Sequence, residues 1–168
     1  GSVIDPKGKA VTLRGATGES GVLLTVLDGN DSSRVLQCVN GEANDTVFEN
    51  LIIQNGYASK GGGVYTTNGS SPTVNDCTFA NNSAGLGGGM AIEIASNPTL
   101  NDCTFTSNSA NSGGGIRVLD SSPILNGCTF TNNSAGPIGG GMRVINSSPI
   151  LNGCTFTNNS AGSNGGGM

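Results

Sequence analysis

Apolar positions along this chain come in short runs that alternate with polar ones, as in Cys103-Thr104-Phe105-Thr106 and Met142-Arg143-Val144. A period of two over three or four residues predicts short β-strands with one face buried. Between the runs stand Gly triplets, Ser-Pro and Asn-Gly pairs, all poor in helices. No amphipathic stripe of helical period occurs. The pattern also recurs at long range. Gly triplets followed by an apolar residue start at Gly61, Gly87, Gly113, Gly139 and Gly165, each 26 residues after the last. Cys-Thr-Phe starts at Cys77, Cys103, Cys128 and Cys154, with steps of 26, 25 and 26. Pro72, Pro98, Pro123 and Pro149 keep the same steps. From Gly113 on, the triplet-to-Cys distance shortens from 16 to 15, and the next Cys-to-triplet distance lengthens from 10 to 11. The total stays at 26, as stacking requires, because each coil must return the chain to the same point one rung higher.

This periodicity predicts an all-β fold, a parallel β-helix (β-solenoid) with coils of about 26 residues, six to seven in number. Three strands per coil are expected: Pro-x-Leu, Cys-Thr-Phe-Thr and Gly-Met-x-Val. Residues 61–168 form the regular coils, and residues 1–60 form divergent coils of the same single domain. In that upstream part Phe48 to Asn55 is a divergent copy of the Cys-Thr-Phe strand. The expected inward ladders are Val74, Leu100, Leu125 and Leu151; Cys77, Cys103, Cys128 and Cys154; Phe79, Phe105, Phe130 and Phe156; and Val64, Met90, Ile116 and Met142. Asn82, Asn108, Asn133 and Asn159 form a further column at a bend, where stacked amides hydrogen-bond along the column and to backbone. Five Cys is an odd number, and stacked copies point the same way, so free thiols packing as small hydrophobes are expected.

Gly-Gly-Gly-Met or Gly-Gly-Gly-Ile, paired with Phe-x-x-Asn (Phe79 to Asn82 and its copies), resembles the Gly-Gly-Ala-Ile and Phe-x-x-Asn motifs of polymorphic outer membrane protein repeats. Gly8 to Leu13, Leu27-Asp28-Gly29, Leu51 to Gly56 and Gly61 to Tyr65 resemble the opening of bacterial secreted pectin-lyase-like domains. The resemblance covers nearly the whole chain. It implies a right-handed parallel β-helix and an extracellular or cell-surface location. For activity it implies little, since that superfamily holds lyases, hydrolases, adhesins and inert stalks.

Composition narrows the chemistry. Hydrophobic residues are 35% and charged residues 11% of the chain, Gly contributes 29 residues, and the net charge is −4. Ladders replace a globular core, which accounts for both deficits. There is no His, which removes the commonest general base and metal ligand. No block of Lys and Arg points to nucleic acid, and no run of about 20 apolar residues spans a membrane. Residues 61–168 carry only Asp76, Glu93, Asp102, Asp120, Arg117 and Arg143. Asp76 and Asp102 are equivalent and one coil apart, at a distance that could suit a glycosidase pair. Their next copies are Gly127 and Gly153, so a turn role is expected instead. Asp28, Asp31, Glu42 and Asp45 gather hard oxygen ligands of the kind Ca²⁺ takes, but in no recognised ligand spacing, and no cofactor or metal is expected. Arg117 and Arg143 are expected to stack on the outer face as a solubilising surface feature.

In each Cys-Thr-Phe-Thr strand the two Thr face outward. Thr78, Thr104, Thr129 and Thr155 form one column; Thr106, Thr131 and Thr157, with Ala80, form another. Such Thr-x-Thr arrays resemble the ice-binding faces of β-solenoid antifreeze proteins. The leading expectation is a non-enzymatic extracellular stalk or surface-display segment with adhesive character. It is expected to belong to a longer array and to self-associate end to end into a fibre through uncapped solenoid ends. A glycan or other cell-surface ligand is the further partner expected. The alternatives are a polysaccharide-binding or polysaccharide-degrading domain and an ice-binding solenoid.

Overall fold

A computed structural model describes residues 2–168. The chain winds into a stack of parallel sheets, here lettered A to D in the order a coil visits them. Sheet A holds six strands: Ser2–Ile4, Arg34–Cys38, Val64–Thr66, Met90–Glu93, Ile116–Leu119 and Met142–Ile145. Sheet B holds six: Thr12–Arg14, Val47–Glu49, Thr73–Asn75, Thr99–Asn101, Ile124–Asn126 and Ile150–Asn152. Sheet C holds Thr25–Asp28, Leu51–Gln54, Thr78–Ala80, Thr104–Thr106, Thr129–Thr131 and Thr155–Thr157. Sheet D holds five: Tyr57–Lys60, Ser83–Leu86, Ser109–Ser112, Ser134–Ile138 and Ser160–Ala161. The one helical element among the described residues is a 3₁₀ turn, Glu19–Gly21.

The stack thus has five complete four-strand turns, preceded by a rung that lacks its sheet D strand. The expected six to seven coils overcount, because the first 33 residues build only that partial rung. Three strands per coil is also an undercount. Ser-Ala-Gly segments such as Ser83–Leu86 carry too little apolar signal to be read as strands, yet they pair in register with Tyr57–Lys60 and Ser109–Ser112.

Each coil turns its corners on residues with left-handed backbone. Between sheets B and C that position is Asn50, Asp76, Asp102, Gly127 and Gly153, at φ 57, 50, 52, 62 and 63. Between C and D it is Asn55, Asn81, Ser107, Asn132 and Asn158, at φ 50 to 57. Asn, Asp and Gly tolerate this region best, hence their abundance. Between D and A the first Gly of each triplet turns the chain, at φ 56 to 73. The third Gly fits for a different reason: a Cβ on Gly89 would lie 2.7 Å from the Gly115 carbonyl and 2.8 Å from the Phe105 ring.

The one-residue shift in the repeat has two local causes. Between sheets A and B the corner uses two left-handed residues in earlier coils, Asn68-Gly69 and Ile94-Ala95, but one in later coils, Asp120 and Asn146. The extra residue before the next triplet enters as a bulge in Ser134–Ile138, where Ser112 pairs with Ile138. Pro137 sits in that bulge, a position where a missing backbone N–H is tolerated.

Candidate functional site

The interior is made of columns. Phe79, Phe105, Phe130 and Phe156 stack face to face, with centroids 4.3, 4.9 and 4.5 Å apart and planes within 9°. Cys77, Cys103 and Cys128 are buried free thiols, and Cys154 is half-buried. Each Sγ lies against two carbonyl oxygens: for Cys103 these are Asn101 at 3.4 Å and Val74, one coil below, at 3.5 Å. Burial pushes the Cys77 thiol up to about 12 and the Cys103 thiol well above its ordinary range. Cys77 and Cys103 are core thiols held protonated, which disfavours nucleophilic or metal-binding chemistry there, whereas the hydrogen bond with Cys103 lowers the Cys128 thiol.

Asn82, Asn108 and Asn133 are completely buried at the corner between sheets C and D, with Asn159 half-buried in the last coil. Asn108 Nδ2 donates to Asn133 Oδ1 at 2.9 Å and to the Phe79 carbonyl at 2.9 Å. Its Oδ1 accepts from Asn82 Nδ2 and from the Asn82 backbone N–H, both at 3.0 Å. Every amide atom is used, so the column is a structural strut. A second Asn ladder runs along the end of sheet B: Asn101, Asn126 and Asn152 each donate Nδ2 to the Oδ1 of the preceding copy at 2.8 Å. Sequence reasoning missed it, although Asn two places before every repeated Cys was the available signal.

Outside, sheet C presents the Thr columns. Thr78, Thr104, Thr129 and Thr155 pair in register, as do Ala80, Thr106, Thr131 and Thr157. The parallel strands give spacings of about 4.8 Å between coils and about 6.7 Å along a strand. Thr155 and Thr157 are exposed and the other five are half-buried by their neighbours.

The acids spread over several corners, with Asp76 and Asp102 one rung apart on one of them. Asp76 and Asp102 are exposed corner residues, and their left-handed backbone explains why Gly replaces them in later coils. Glu42 is buried and accepts from the backbone N–H of Gly8 and Asn40 and from Ser70 Oγ. Burial raises its carboxyl, but those hydrogen bonds outweigh it and leave it below its usual value. Asp28 accepts from Gln54, Asn55 and the Asn30 N–H, on a different corner. Among the described residues no three His, Cys, Asp or Glu side chains gather so as to hold a metal ion.

The cations depart from expectation. Arg117 and Arg143 do point outward from sheet A and pair in register. Arg117 is not a solubilising surface group, however: it is only 8% exposed and forms an ion pair with the buried Glu93. The other Glu93 oxygen accepts from Lys60 Nζ at 2.7 Å and Tyr65 Oη at 3.2 Å. Arg143 folds onto Ser112 Oγ at 2.8 Å. For Arg117 the reason is that sheet A sets it one rung from the strand of Glu93, so its guanidinium reaches that carboxylate. A hollow of about 510 Å³ opens at the last coil, lined by Ile138, Met142, Arg143, Val144, Leu151 and Met168 among others.

Residues 16–168 match a family described as the right handed beta helix region. The chain belongs to that family. No curated protein and no solved structure matches it. The match fixes the architecture of this β-helix and reaches back into its divergent first rung, to residue 16. It does not single out the outer membrane protein repeats, and the family includes pectin-lyase-like enzymes. No helix is long and apolar enough to cross a membrane among the described residues.

Proposed function

We propose that this β-helix is a non-enzymatic extracellular structural element, a stalk or surface-display segment with adhesive character. The observation that supports it most is that the buried carboxylate of the regular coils is ion-paired and the exposed ones sit at turns. Glu93 is held by Lys60, Tyr65 and Arg117, and Asp76, Asp102 and Asp120 occupy left-handed corner positions at φ 48 to 52. Asn or Gly stands at the equivalent positions of other coils, which suits a turn role more than an acid–base pair. Repetition of one coil, with each column packing on its own copy, suits a rod that sets distance more than a site that performs chemistry. Protease shaving of intact source cells tests location: release of this segment into the medium is expected, and complete protection would overturn the reading.

A second reading, ice binding, rests on the in-register Thr columns of sheet C. It requires freezing hysteresis that disappears in the Thr104→Lys variant.

A further inference from the structure

We infer that the corner between sheets C and D is a modification edge, on which Asn81, Asn132 and Asn158 accept N-linked sugar from a diphosphate-activated donor. The chain holds seven Asn-x-Ser or Asn-x-Thr triplets without Pro between, starting at Asn30, Asn44, Asn68, Asn81, Asn132, Asn146 and Asn158. This is the pattern that N-glycosylation requires. In a chain rich in Asn and Ser the pattern alone decides nothing. The fold sorts the triplets.

In Asn81-Asn82-Ser83 and its copies, two neighbouring amides have opposite fates. The second belongs to the inner column, where its amide is hydrogen-bonded. The first is the exposed corner residue, at φ 55, 57 and 54 in Asn81, Asn132 and Asn158. Among the described residues these three side-chain amides have no hydrogen-bond partner. The corner itself is held by backbone: the Asn81 N–H donates to the Thr106 carbonyl at 3.2 Å, and the Asn132 N–H to the Thr157 carbonyl at 3.1 Å. Ser83, Ser134 and Ser160, two places on, open the sheet D strands and are exposed or half-buried.

Backbone conformation does not by itself account for these amides. The corner between sheets B and C is equally left-handed, and Asn50, Asp76, Asp102, Gly127 and Gly153 fill it. At the corner between C and D stand Asn55, Asn81, Ser107, Asn132 and Asn158, with neither Asp nor Gly. An unbonded amide is thus kept where Gly would serve. Two of the other triplets are closed. At Asn44 and Asn68 the hydroxyl two places on is buried: Thr46 donates to the Lys9 carbonyl at 3.1 Å, and Ser70 to Glu42 at 2.8 Å. Asn68 Nδ2 is itself spent on the Val39 carbonyl at 3.1 Å. Asn30 and Asn146 stand singly, off this edge.

In the transfer, Asn Nδ2 attacks C1 of the sugar. The C1–N bond forms as the C1–O bond breaks, the diphosphate leaves with the electron pair, and the amide gives up one proton. A lipid-linked donor delivers a preassembled oligosaccharide and a nucleotide-linked donor a single sugar, so the added mass tells the two apart. Asn81 to Asn158 covers three rung spacings, roughly 14 Å of one edge.

The inference rests on the extracellular reading only for its use, a sugar coat along one edge of an exposed rod. Site-resolved mass spectrometry of the full chain from source cells tests it, on the fraction released by shaving and on the fraction retained. Sugar is expected on Asn81, Asn132 and Asn158 and absent from Asn68. Asn132→Ser, which copies the natural Ser107, and Ser134→Ala are each expected to lose the Asn132 sugar. Ser107→Asn completes a triplet with Ser109 and is expected to gain a fourth site on this edge. Circular dichroism of each variant checks that the fold is kept. Sugar found only in the retained fraction would uphold the inference and overturn the location. A released chain bare at all three positions would overturn the inference and leave the stalk reading standing. Bare asparagines in both fractions, equal modification of Asn68, or no gain in Ser107→Asn would also overturn it.

Discussion

Two asparagines in one coil show how strongly position governs a side chain's worth here. Asn108 is buried in the inner column, whereas Asn101 is half-buried on the outer ladder. Asn108→Ala would strand the Phe79 carbonyl, the Asn82 N–H and an Asn82 amide hydrogen away from water. At about 1–3 kcal/mol for each unsatisfied group, a loss of about 3 kcal/mol or more is expected. Asn101→Ala exposes its partners to solvent, which replaces the lost bonds, and is expected to cost about 0.5–1 kcal/mol. Urea unfolding of both variants checks the ratio. The thiols give a pH signature. In the unfolded chain they ionise from an ordinary value of 9.0, while in the fold burial holds Cys77 protonated to about 12 and raises Cys38 and Cys103 as well. Between those values the unfolded state binds fewer protons than the native state, so stability present below pH 9 declines as pH rises. The urea midpoint is expected to fall from about pH 9 upward, and a midpoint constant to about pH 11 would contradict it.

At the scale of a corner, the triplet glycines are not interchangeable with those that merely replace Asp or Asn. Gly89→Ala places a methyl against a backbone carbonyl and the Phe105 ring, neither of which can withdraw. Overpacking of this kind costs about 1–3 kcal/mol. Gly153, unlike Gly89, is left-handed, and nothing lies within 4 Å of a Cβ there. Asn holds the equivalent position at Asn50, so Gly153→Asn is expected to stay within about 0.5 kcal/mol of the parent. Calorimetry that ranked the two variants the other way would refute this account of the triplet. Corners also show why the sequence could be read so far. Period, columns and the 25-residue step follow from the chain returning to one point per coil, and those constraints imprint every repeat. The Ser-Ala-Gly strands of sheet D did not, because a strand of small residues packed beside the Asn column carries no apolar alternation. The first coils blurred for a related reason: the partial rung is interrupted by the 3₁₀ turn and an antiparallel bridge between Thr17 and Leu23, which break the period.

Across the whole molecule, chemistry is separated by side. Sheet C shows Thr, the corner between B and C shows Asp76 and Asp102, and the corner between D and A gathers the cations. The equivalence of Arg117 and Arg143 was legible from their spacing of 26. The burial of Arg117 was not, because it depends on Glu93 arriving from the neighbouring coil, with no shared motif to link them. The resulting reading is of a rod of repeated coils, proposed as structural and not catalytic. Incubating the full chain with polygalacturonate, and reading unsaturated and reducing-end product, tests that most directly. No product is predicted. Product that accumulates in proportion to added protein would contradict the account.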